Sequence, residues 1–234
     1  MEPILDFARG PLFRFCLAIM LLGLVRLFVL ETVAAFLAYR RAGDKTLPWN
    51  YILRRTAQWL FPVKRVTHSR PLYSFLSISF HVGLLLVPVF LLAHVQLWQA
   101  GIGLRWPALP AAWADGLTLL TIVTGTALFV GRLSNATSRF ISRKQDFLWP
   151  LVLIVPFITG YLCSNTTLSA TNYQGLMLVH VLSAEVIFIL LPFTKVAHCI
   201  LVPFSTFVSN LAWKFPAETD DDVCTTLNKK GAPV

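Results

Sequence analysis

Charge is scarce in this chain. Asp, Glu, Lys and Arg make up 13% of its 234 residues against 56% hydrophobic, and the mean hydropathy is +0.67. An ordinary soluble domain needs more polar surface than that, so the composition excludes one. Cysteine is also sparse: Cys16, Cys163, Cys199 and Cys224 show no CxxC, no CxxCH and no cluster spacing. The sequence thus carries no signature of an iron–sulfur centre, a c-type heme or a zinc site. Any iron–sulfur cluster it works with belongs to another chain, and Cys16, Cys163 and Cys199 read as small apolar fillers. Internal repeats and low-complexity tracts are missing too. No segment is left over for a soluble base-reading module, so the net charge of +9 does not point to nucleic acid.

What the chain does have is long apolar runs. A hydrocarbon layer of about 30 Å takes about 20 helical residues to cross. Residues 12–38, 72–97, 113–130, 147–163 and 176–203 supply five such runs. Glu2 and Asp6 precede the first run, which is too long for a signal-peptide core, so it is expected to stay as a membrane helix. The charge is placed unevenly. Residues 40–70 hold Arg40, Arg41, Lys45, Arg54, Arg55, Lys64, Arg65 and Arg70 against Asp44 alone, and the connection after the third run adds Arg132, Arg139, Arg143 and Lys144. The other two connections hold only Arg105. Basic connections face the cytoplasm, which puts the N-terminus outside and the C-terminus inside.

Trp49, Tyr51, Ile52, Leu53, Trp59, Leu60 and Phe61 interleave with the first basic stretch, a pattern expected to lie in the membrane interface or to dock a cytoplasmic partner. The loop 99–113, rich in Pro and Gly and marked by Trp106 and Trp113, is expected to fold back over the outer end of the helices. Glu218, Asp220, Asp221 and Asp222 make the tail acidic, and it is expected to be disordered without a partner. The fold expected is all-α: one domain of five transmembrane helices over residues 1–207, then a cytoplasmic tail over 208–234.

Four histidines lie inside these runs. His180 and His198 are eighteen residues apart, five whole turns of one continuous helix, which would present both from one face roughly 27 Å apart along the axis. His81 and His94 are thirteen apart, about 140° from a common face. Pro88 lies between them and is expected to kink the helix and re-aim one of them. With spans alternating in direction, His94 shares the outer level with His180, and His81 the inner level with His198. A lone intramembrane histidine more often makes an interhelical hydrogen bond. Four at matched depths favour metal ligation, with each pair supplying the axial imidazoles of one heme b between antiparallel helices. His68, in the basic stretch, is expected to be interfacial.

The stretch His180-Val-Leu-Ser-Ala-Glu-Val-Ile-Phe-Ile-Leu-Leu-Pro-Phe-Thr-Lys-Val-Ala-His198 resembles the gamma subunit of respiratory nitrate reductase, a five-helix diheme cytochrome b, as do Phe80-His81-Val82-Gly83 and Gly10-Pro11-Leu12 with the Arg26 region. The resemblance runs from Gly10 to about Phe207. Gly101-Ile-Gly-Leu-Arg-Trp-Pro-Ala-Leu-Pro110 and Leu190-Leu-Pro-Phe-Thr-Lys195 are similar to one branch in particular. That branch comprises the cytochrome b subunits of transmembrane redox complexes in sulfate- and sulfur-metabolising prokaryotes, which accompany an iron–sulfur protein related to heterodisulfide reductase. The nitrate reductase subunits space the two helix-two histidines more closely, which argues against nitrate as the terminal substrate.

The resemblance implies two b hemes on His81, His94, His180 and His198, and exchange with menaquinone or another quinone near the outer heme. His94, Gln96, Gln99 and Arg105 are the candidate quinone-site residues. Asp115 falls near the place where the nitrate reductase subunit carries a lysine, and is a candidate acceptor of a quinol proton; its plainer reading is a helix N-cap. Arg26 and Lys195 are candidates for the inner heme propionates, with Glu31 as another possible ion partner.

The expected role is therefore the quinone-reactive subunit of a respiratory oxidoreductase complex in a prokaryotic inner membrane, which does not complete a reaction alone. Its expected partners are a cytoplasmic iron–sulfur subunit, heterodisulfide reductase-like or nitrate reductase beta-like, and a periplasmic cytochrome c. The rival reading is a non-redox scaffold or proton-conducting transporter subunit with histidines on a proton path. A four-helix heme b anchor of the hydrogenase type fits the span count less well.

Overall fold

A computed structural model describes residues 2–41, 49–60, 71–209 and 224–228. Every regular element among them is helical, and none is a strand. In chain order these are α1 Glu2–Phe7, a π-helical turn Ala8–Leu12, α2 Phe13–Arg41, α3 Trp49–Leu60, α4 Pro71–Phe90, α5 Leu92–Ile102, α6 Ala111–Ser134, α7 Ala136–Ile141, α8 Lys144–Asn165, α9 Ala170–Leu190 and α10 His198–Ser209. Two short 3₁₀ turns, Leu191–Phe193 and Lys195–Ala197, come between α9 and α10. Five helical stretches are long and apolar enough to cross a membrane: Glu2–Leu37, Pro71–Phe90, Ala111–Ser134, Lys144–Asn165 and Ala170–Phe193.

The chain divides into two compact units, Met1–Ala18 with Val63–Leu190, and Ile19–Pro62 with Leu191–Val234. In the first unit α4 packs on α6, α6 on α8, and α8 on α9, while α9 also meets α1 and the π turn. The interior here is small and polar. Ala114, Thr118, Thr121, Thr124 and Gly125 are buried along one face of α6, and the three threonines each return a hydroxyl hydrogen bond to the carbonyl four residues earlier, on Ala114, Leu117 and Leu120. Gly83 of α4 lies so close that a side chain there would collide with the Thr121 hydroxyl. At Gly125 an added Cβ would stand 2.7 Å from Ile154 and 2.8 Å from Phe80. The outward faces of the same helices are apolar, with Leu85 64% and Val123 63% exposed. Small and hydroxylic residues inside with large apolar ones outside is the arrangement of helices packed in lipid, where close backbone approach replaces a hydrophobic core.

In the second unit α3 packs against α10. Ile52 and Thr56, one turn apart on α3, are buried, while Tyr51, Leu53, Arg54 and Arg55 are exposed. Trp49 stacks on Phe207 with ring centroids 6.2 Å apart, and Phe28 of α2 meets Phe204 edge-on at 5.2 Å. Gly23 of α2 makes room for the Pro192 ring, which an added Cβ would meet at 2.6 Å. The interfacial stretch expected around Trp49 thus contains a helix with one buried and one exposed face. His68, Lys64, Arg65, Arg70 and the acidic run Glu218–Asp222 lie outside the described residues.

Two expectations about helix continuity need correction. Residues 176–203 do not form one helix: α9 ends at Leu190, Thr194 is extended at φ −129° and ψ −178°, and a new helix starts at His198. Pro192, with no N–H and a ring that crowds the preceding turn, accounts for the interruption. His180 and His198 therefore sit on different helices and in different units, so the argument from five whole turns and a shared face fails. The second run breaks as well, at Leu91 (φ −65°, ψ 131°), three residues beyond Pro88.

Candidate functional site

The break at Leu91 generates the site. A continuous helix would pair the carbonyls of Pro88, Val89 and Phe90 with N–H groups one turn later, and turning the chain out at Leu91 removes those partners. Each carbonyl finds a replacement. The His94 Nδ1–H donates to Pro88 at 3.0 Å, the Trp106 indole N–H to Val89 at 2.9 Å, and the Leu109 N–H to Phe90 at 2.9 Å. The loop that supplies Trp106 and Leu109 follows α5, whose end is set by Gly103 in the left-handed region at φ +75°, where a side chain would be strained. Trp98 and Trp106 lie 6.2 Å apart and brace this return. The loop after the second span thus folds back and inserts its donors into the helix break.

His94 is aimed at α9. Its ring lies 6.1 Å from that of His180, centroid to centroid, with the two planes only 15° apart. His180 is fixed from α8: its Nδ1–H donates to the Pro156 carbonyl at 2.8 Å and stands 3.3 Å from the Thr159 hydroxyl. The ring rests on Gly160, where an added Cβ would come within 2.9 Å of Cε1 and 3.1 Å of Nδ1. Both histidines are partly buried. A carbonyl partner requires the hydrogen on Nδ1, so in each ring Nε2 is the nitrogen with a lone pair to offer. Arg9, on the π turn, is close enough for its charge to act on both His180 and Cys163.

The other two candidates repeat half of this pattern. In the first unit, the His81 Nδ1–H donates to the Ser77 carbonyl at 2.7 Å, and the ring meets Phe80 edge-on. In the second unit, the His198 Nδ1–H donates to the Lys195 carbonyl at 2.9 Å. Both residues are exposed, as are Arg26 and Lys195; Glu31 is half-buried.

The remaining candidates are not drawn together. Gln96, Gln99 and Arg105 are exposed. Asp115 does not cap a helix, because the N-cap of α6 is Pro110; instead its Oδ1 accepts from the Asn165 side-chain amide at 3.2 Å, tying α6 to the end of α8. A shallow groove of about 550 Å³ is lined by Leu168, Thr171, Asn172, Gly175, Leu176 and Val179, none of them a candidate quinone residue. No cluster of three or more His, Cys, Asp or Glu side chains suited to a bare metal ion occurs among the described residues.

Sequence reasoning missed Arg9, Gly160, Thr159 and Trp106. A glycine four residues after a proline within a span was a readable hint for Gly160, and Trp106 stood unexplained in a loop already noted for its resemblance. Arg9 had no local signal beyond the adjoining Gly10-Pro11. Glu185 lies within the last apolar run, and nothing in the sequence marked it as buried.

No protein-family model matches the chain, and no solved structure does. A protein of Nitratidesulfovibrio vulgaris strain Hildenborough, described only as a protein, is 31% identical over 145 residues, covering 62% of this chain. The chain spans 63% of the length of that relative.

Proposed function

We propose that the protein is a membrane cytochrome b subunit that holds two b hemes and exchanges electrons between menaquinone or a related quinone and a partner redox subunit. The observation that carries this reading is the His94/His180 pair. With their rings 6.1 Å apart and nearly parallel, His94 and His180 would hold one heme iron between them, each through Nε2. The hydrogen bonds behind the rings agree, because a ligating histidine almost always donates its other ring N–H to a carbonyl or carboxylate, fixing tautomer and orientation. His81 and His198 share that tautomer, and each is proposed as a further heme ligand. Bound there, the hemes supply one-electron chemistry.

The chain's own residues ligate, orient and manage charge. His94 and His180 are held by carbonyls on different helices, and Gly160 keeps the His180 ring unobstructed. Arg9 adds to the reading a cation beside the His94/His180 centre, suited to propionate, while Arg26 and Lys195 are proposed for the second heme. Asp115, with Gln96, Gln99 and Arg105 near it in sequence, is proposed to take a quinol proton on its carboxylate. The basic connections support an orientation with the N-terminus outside and the C-terminus in the cytoplasm, and the proposed setting is a prokaryotic inner membrane. The proposed partner is an iron–sulfur protein on the cytoplasmic side.

The test is spectroscopic. Protein purified in mild detergent is expected to show a reduced-minus-oxidised b-type spectrum and two low-spin signals in EPR. The variants His94→Ala and His180→Ala are expected to lose the same signal and to keep the other. A colourless preparation would overturn the reading and favour the proton-conducting or scaffold alternative.

A further inference from the structure

We propose that Glu185 is the proton-exchanging group coupled to the His94/His180 centre, gaining one proton on its carboxylate for each electron that arrives there and releasing it when the electron leaves. The inference rests on the function proposed above and adds to it a residue with no assigned part in ligation or quinone binding. Glu185 lies on α9, five residues beyond His180, which is about 7.5 Å along the helix axis. Only 3% of it is exposed, and neither carboxyl oxygen has a hydrogen-bond partner. Cys16 of α2, itself buried, is close enough to feel its charge, and Phe13 of α2 packs edge-on against Phe188, one turn along from Glu185.

An ionised carboxylate without a partner in an apolar layer is costly, and such residues within a span mark proton relays and ion paths. The other titratable groups on the packed elements are placed differently. Arg9 on the π turn acts on His180 and Cys163; Glu2, Asp6 and Arg14 are exposed; Asp146 accepts from the Arg143 N–H at the far start of α8. Glu185 is thus the deeply buried acid on the helix that carries His180. Charge balance is simple: one electron, from quinol or from dithionite in vitro, adds one negative charge at the centre, and one proton from water neutralises the carboxylate nearby.

The test is a redox titration of the full chain across pH, followed on the low-spin signal that His180→Ala abolishes. One proton per electron makes the equilibrium tenfold different per pH unit, about 59 mV for a one-electron couple. The wild-type midpoint is expected to fall toward that slope over part of the range, Glu185→Gln to lose the slope while keeping the signal, and Glu185→Asp to retain it. Redox-difference infrared spectra of the wild type are expected to show a carboxyl C=O band on reduction that Glu185→Gln lacks. An equal slope in wild type and Glu185→Gln, or a wild type without the carboxyl band, overturns the role of Glu185 and leaves the heme reading standing. A preparation without low-spin heme overturns both.

Discussion

All four candidate histidines donate from Nδ1 to a backbone carbonyl, but the carbonyls come from different places: three lie three to six residues back in the same chain segment, and that for His180 lies on another helix. This difference makes the His180 ring sensitive to α8. Gly160→Ala puts a methyl group within 2.9 Å of the imidazole, and the ring or the helix must move. Overpacking of this kind costs about 1–3 kcal/mol. The variant is expected to assemble with a weakened or missing His94/His180 heme signal and an intact second one, read by EPR at matched protein concentration. Gly83→Ala is a control of the other kind: it collides with Thr121 and the Leu117 carbonyl rather than with a histidine ring, and should lower thermal stability by a similar amount or more while leaving surviving protein with the His94/His180 signal. Residue types and depths made the histidines legible. The glycine under His180 and the solitude of Glu185 were not, because both depend on which helix happens to lie opposite.

At the scale of elements, hydrophobic run length joined segments that the backbone separates. Pro88 and Pro192 were both visible, yet a proline within an apolar run signals a kink or a stop with equal force, and only tertiary partners decide which. At residues 88–90 the carbonyls left by the break are taken up by His94, Trp106 and Leu109, two of them from a loop more than a dozen residues away. Trp106→Phe keeps the ring and removes the N–H, leaving the Val89 carbonyl without its donor. The loss of one such hydrogen bond costs about 0.5–1.5 kcal/mol. The expected outcome is a lower melting temperature together with a broadened or shifted EPR signal for the His94/His180 centre, since the neighbouring carbonyl orients His94. An unaltered signal would mean that the loop holds the fold but not the ligand.

For the whole molecule, the span count was legible because composition and length alone define a membrane-crossing helix. The division of the chain into two units at Ala18 and Leu190 was not, since no polar linker marks either point. The proposed orientation rests on where the basic residues fall. Cysteine substitutions in the loop at Leu104, which is 58% exposed, and in the connection at Ser142 are expected to label from opposite sides of intact cells, Leu104→Cys from outside and Ser142→Cys only after permeabilisation. The reverse pattern would turn the electron path around and move the partner to the other face.

The contact between His94 and His180 also sets an order of biogenesis. The first ring leaves the ribosome early, on α5, and its counterpart only with α9, after two further spans have been made. Until then the carbonyls at the helix break can be capped by their own loop, so the nascent chain can wait in the membrane without a buried polar debt at that point. A chain truncated after α8 is therefore expected to insert yet carry no bis-histidine centre, and loading of the proposed heme is expected to be one of the last events in maturation rather than a nucleus for it.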